Sequence, residues 1–199
     1  MTSHPLLTGM AGTLRGFVAL DGGDPLAAER DARAVLAAVE PHNPLAPAQV
    51  GPRVLLAMAR LAAGDPGAAV ELLEPIATAE EAPALLFSRR QALARYATTL
   101  LAVGRTSDAV DWARRSIEAP AEDVRSHVIA AEALAETLAA AGLRQEAMTA
   151  ADDAVRLAYA TQQAGERPGA DALRARLADP PGDVPVLTGG SPLPSRPLG

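Results

Sequence analysis

Lysine and cysteine are what this 199-residue chain goes without, and aromatic rings are scarce. All 18 of its Lys+Arg cations are arginine, cysteine is absent, Asn43 is the single asparagine, and aromatics make up 3% of the residues. Without lysine there is no Walker lysine to grip a phosphate, no Schiff base and no kinase-type Lys–Glu pair. Without cysteine there is no thiol nucleophile, disulfide framework or thiolate metal site. The 24 acids leave a formal net charge of −6. A nucleic-acid surface needs a basic patch and stacking rings, so direct nucleic-acid contact is not expected. No stretch of roughly 18 apolar residues runs free of charge, so no membrane span is expected. The N-terminus has no basic n-region, and Gly9, Gly12, Arg15 and Gly16 interrupt the apolar residues behind it. That argues against a secretory signal and places the chain in the cytoplasm.

Catalytic chemistry is equally thin. His4, His42 and His127 are the only imidazoles, and no two share a helical pattern, which removes the HExxH metal pair. Ser126 and His127 are adjacent, but neighbours in a helix point about 100° apart and make no nucleophile–base pair. Asp152-Asp153 and Glu80-Glu81 read as solvated surface pairs. Gly9-Met10-Ala11-Gly12-Thr13 resembles a phosphate loop only in its glycines. No catalytic residue, metal site or cofactor is expected.

What is present is a repeat. Hydrophobic residues make up 49% of the chain, enough for one unit with a sizeable core or two small ones. Four segments share a glycine followed five positions later by alanine: Gly23…Ala28, Gly64…Ala69, Gly104…Ala109 and Gly142…Ala147. The glycines lie 41, 40 and 38 residues apart. Each sits between two amphipathic helical patterns. In the third repeat Leu85, Leu86, Leu93, Tyr96, Ala97 and Leu100 fall mainly at three- and four-residue steps, with Pro83 as an early helical residue. Gly104 supplies the left-handed turn, and Thr106, Ser107 or Asp108 can cap the helix that follows. The pattern predicts an all-α chain of about four helix hairpins over residues 6–178, with a capping helix at about 170–178. Residues 179–199 hold six prolines and four glycines and read as a disordered tail.

These residues resemble the tetratricopeptide repeat (TPR). That family carries a small residue seven positions before the turn glycine, matched by Gly16, Ala57, Ala97 and Ala135. An aromatic or leucine precedes it, matched by Leu56, Tyr96 and Leu134. The period near 40 is longer than the family's 34 and is similar to the helical-repeat regions of bacterial transcriptional activators. The resemblance is weakest in the first repeat, where Gly9, Gly12 and Gly16 each cost a helix about 1 kcal/mol against alanine.

The resemblance implies a right-handed α-solenoid that binds a protein or peptide in a concave groove. In the family, positions ten, six and three before the turn glycine face that groove. Here they are Thr13, Phe17 and Leu20; Val54, Met58 and Leu61; Ala94, Thr98 and Leu101; Glu132, Glu136 and Ala139. Phe17, Met58, Ala94, Thr98, Glu132 and Glu136 are the candidate partner-binding residues. Two readings of the acids stay open. Either Arg95 on the preceding repeat reaches Glu132, or the carboxylates await a basic group on a partner. A non-enzymatic scaffold is the leading function; a ligand- or peptide-sensing segment of a transcription regulator is the alternative. Oligomeric state is not legible.

Overall fold

The computed structural model of the chain describes residues 5–39, 47–79, 89–120, 123–160 and 165–179. Among the described residues there are nine helices and no strand: α1 (Pro5–Asp21), α2 (Pro25–Ala38), α3 (Pro47–Ala62), α4 (Pro66–Ala77), α5 (Arg89–Ala102), α6 (Thr106–Glu118), α7 (Val124–Ala140), α8 (Arg144–Ala160) and α9 (Arg167–Ala178).

The four repeat glycines set the hairpins. Gly23, Gly64, Gly104 and Gly142 have φ of +80°, +83°, +79° and +78°, the left-handed region where a side chain is strained. At each, the glycine N–H donates to the carbonyl three residues back and the next N–H to the carbonyl five back. Gly104 bonds Leu101 and Arg105 bonds Leu100, both at 2.9 Å. This doubly bonded stop satisfies carbonyls that a helix end otherwise leaves open.

The helices that follow start in two ways. In the first two repeats Asp24 and Asp65 accept from the N–H groups of Ala27 (2.8 Å) and Ala68 (3.2 Å), and proline opens each helix. In the third repeat the expected cap residues fall inside the helix. Arg105 takes the cap position with no side-chain cap bond, and its Nε donates to Asp108 at 2.8 Å instead. Pro83, Leu85 and Leu86 lie outside the described residues, as does the tail beyond Asp179.

Neighbouring helices pack in chain order, and each odd-numbered helix also touches the next odd one; among the described residues no two even-numbered helices touch. The result is an inner layer of α1, α3, α5, α7 and α9 backed by an outer layer of α2, α4, α6 and α8. Alanine makes the close crossings. Ala28, Ala69, Ala109 and Ala147 are fully buried, and so are Ala57, Ala97 and Ala135. The glycines of α1 serve the same end. A Cβ at Gly12 would come within 2.6 Å of Val35 Cγ2, and one at Gly16 would fall on the Leu55 side chain. The helix carries poor helix formers at Gly12 and Gly16 because a larger residue there would push its neighbours away, whereas a Cβ at Gly9 would make an ordinary contact with Val35 at 3.5 Å.

The largest core cluster joins α3 to α6 around Val54, Leu73, Tyr96 and Leu100. Tyr96 meets Trp112 edge-on at 5.3 Å. Leu173 and Ala170 of α9 bury themselves in the clusters of the α7–α8 hairpin.

Candidate binding pocket on the inner layer

Where α5, α7 and α9 meet, the inner layer holds a pocket of about 170 Å³. Ala94, Arg95 and Thr98 line it from α5, Ile129, Glu132, Ala133 and Glu136 from α7, and Gly169 and Leu173 from α9. The helical repeat explains the grouping: residues four apart on one helix share a face, so Ala94 and Thr98, and Glu132 and Glu136, line up beside one another.

Glu132 is strongly perturbed in it. One carboxylate oxygen, Oε1, is buried and accepts no hydrogen bond from the described residues. Burial pushes its pKa up to about 7, the charges of Glu166 and Glu136 push the same way, and Arg95 opposes them. Arg95 is itself drawn below the usual guanidinium value by burial, while Glu132 and Glu166 hold it up. The two thus feel each other's charge, yet among the described residues they form no ion pair. The Thr98 hydroxyl donates to the Arg95 carbonyl at 2.9 Å. A side chain at position 169 would crowd the pocket, since a Cβ there would lie 3.3 Å from Glu132 Oε1.

Glu136 is engaged. Arg176 on α9 pairs with it at 3.1 Å, and at the other end of α7 Arg125 pairs with Glu166 at 2.6 Å. The capping helix is thus tied to α7 by charge at two points flanking the pocket. Gly169 had no sequence signal as a pocket residue, because the repeat register does not extend into α9, and the flanking pairs Arg176–Glu136 and Arg125–Glu166 had none either.

Of the six residues singled out from sequence, Ala94, Thr98, Glu132 and Glu136 come together here. Ala94 is fully buried and packs with Ile129, Ala130 and Ala133, so it shapes the pocket wall. Phe17 and Met58 do not line the pocket; both are half-buried against the α3–α6 core. A larger cleft of about 370 Å³ lies between the end of α4 and the start of α5, beside Trp112 and Arg115. Among the described residues no cluster of three metal-ligating side chains occurs, and no helix is long and apolar enough to cross a membrane. Asp152 and Asp153 pair on the surface with Arg174 and Arg156. His127 Nδ1 lies 3.0 Å from the Asp123 carbonyl.

No protein-family model matches the chain, and no curated protein matches it in sequence. Its fold does have solved counterparts. A kinesin-light-chain-type protein of Podosopora anserina with nearly identical TPR-like repeats is 20% identical, with a TM-score of 0.60 over 89% of this chain and 87% of that one. The chain also matches the MamA protein at 20% identity and a TM-score of 0.49, over 86% of each chain. The fold is that of a TPR-like helical repeat protein, an all-α solenoid.

Proposed function

We propose that the chain is a non-enzymatic binding module whose inner helical layer forms a concave face for a protein or peptide partner. The observation that carries this reading is Glu132. An acid that lines a pocket on the inner layer and keeps one buried oxygen without a donor among the described residues is costly to the free protein. A basic or amine-bearing group on a partner would satisfy it. The TPR-like fold agrees with this reading, since stacked hairpins offer a long surface that a single domain of this size does not. Groove positions with no cation or asparagine among them argue against a clamp for a peptide's terminal carboxylate of the kind TPR chaperone adaptors use. No observation favours a transcription-regulator segment over the general binding module.

A random peptide library passed over the immobilised full chain tests the proposal. Retained peptides should be rich in arginine or lysine, and Glu132→Gln with Glu136→Gln should weaken them and flatten the salt dependence of binding. Retained peptides that keep their affinity and salt slope on the double variant would overturn it.

A further inference from the structure

Arg95 and Glu132 line one small pocket and feel each other's charge, yet among the described residues they form no ion pair. A partly buried arginine and glutamate ordinarily close on one another, because each is costly alone. Here both line the space between α5 and α7 without pairing, and one carboxylate oxygen is left without a donor. We propose that the pocket binds a small zwitterion of the α-amino-acid type, its carboxylate on the Arg95 guanidinium and its ammonium on Glu132.

The chemistry of the lining fits both ends. A guanidinium offers paired N–H donors in the fork that a carboxylate accepts. The Glu132 carboxylate lines the pocket, and with one oxygen lacking a donor among the described residues it is the acceptor for an ammonium N–H. The Thr98 hydroxyl has already committed its proton to the Arg95 carbonyl, so its remaining lone pairs can only accept, which again suits an ammonium. Glu136 is held by Arg176 and leaves the task to Glu132.

Size and selectivity follow. At about 170 Å³ the pocket is well below the ~300–1,000 Å³ of drug-sized sites. Ile129, Ala133 and Leu173 give it apolar walls suited to a short aliphatic side chain. A ligand with only one of the two charges would bury the other protein charge unanswered, so both ends are needed for tight binding. The Glu132 carboxyl, held near neutrality, gives up its proton when an ammonium docks, so binding releases protons and tightens as pH rises towards 8. None of this requires the rest of the inner layer to bind a peptide.

Isothermal titration of the full chain at pH 7.5 with glycine, alanine and serine, beside propionate and ethylamine, is the decisive experiment. At least one amino acid should give saturable heat, with both single-charge analogues at least tenfold weaker. Arg95→Gln and Glu132→Gln should each weaken the amino acid at least tenfold while still melting cooperatively. If Arg95→Gln does not fold, the comparison of alanine with propionate and ethylamine on the unaltered protein decides alone. The proposal falls if none of the three amino acids gives saturable heat, or if either single-charge analogue matches the best of them. Peptides retained from the library in that case would leave the proposed function standing and remove only the zwitterion site.

Discussion

Leu55 on α3 fills the space that a side chain at residue 16 on α1 would need. The contact joins the first two inner helices. Gly16→Ala should gain about 1 kcal/mol of helix propensity but lose more to overpacking, about 1–3 kcal/mol at a well-packed crossing. Urea unfolding should therefore show a lower midpoint, and Leu55→Ala in the same chain should make the alanine at 16 tolerable. A higher midpoint for Gly16→Ala alone would mean that α1 and α3 do not approach this closely.

Ala109 and Ala147 are the matching test at the later hairpins. Both are fully buried five residues beyond a turn glycine, where the paired helices cross. Ala109→Leu and Ala147→Leu should each lower stability by about 1–3 kcal/mol, read as a fall in melting temperature. Unchanged melting in both would contradict the packing.

Two glycines, one at a turn and one inside a helix, should respond in opposite directions. Gly104 has φ +79° with open space around it, so Gly104→Ala suffers only backbone strain, about 1–2 kcal/mol. Gly67 is helical, and a Cβ there would meet nothing closer than Asp65 Oδ1 at 4.0 Å. Gly67→Ala should stabilise by about 0.4–1 kcal/mol. Thermal denaturation of the two variants beside the parent separates backbone strain from the conformational gain of replacing a helical glycine; a shift in the same direction for both would refute the distinction.

The hairpins were legible because their determinants are local. Gly23, Gly64, Gly104 and Gly142 must be glycine for backbone reasons, and the buried alanine five residues on follows from the same turn. The first repeat looked weak for a reason only the structure supplies: Gly12 and Gly16 are needed by Val35 and Leu55, residues far along the chain. The pocket was half legible. Offsets from the turn glycine brought out Thr98, Glu132 and Glu136, since helical spacing puts them on one face. The same offsets gave Phe17 and Met58, which lie away from this pocket, half-buried against the α3–α6 core. The α9 partners were invisible because Arg176–Glu136 and Arg125–Glu166 span about forty residues with no periodicity to link them. Arg95 was placed near Glu132 by register, but whether it would close on the acid depended on side-chain geometry that no pattern encodes.

Glu132 makes the stability of the chain depend on pH in a direction opposite to an ordinary paired carboxylate. Its pKa lies near 7 in the folded protein against 4.5 unfolded. Between those values the folded chain holds a proton that the unfolded chain has released, so this group lowers stability as pH rises through that window and is constant above it. Allowing for the water that reaches the side chain, the effect is about 1–2 kcal/mol. Arg95 is the only cation opposing the shift, while Glu166 and Glu136 reinforce it. Glu132→Gln mimics the protonated acid, so it should match the parent at pH 4.5 and exceed it by about 1–2 kcal/mol at pH 8. Chemical denaturation of both chains at the two pH values checks this, and the other titrating groups cancel in the difference. An advantage equal at both pH values would show that Glu132 is not held protonated by its surroundings, and an advantage larger at pH 4.5 would reverse the assignment of sign.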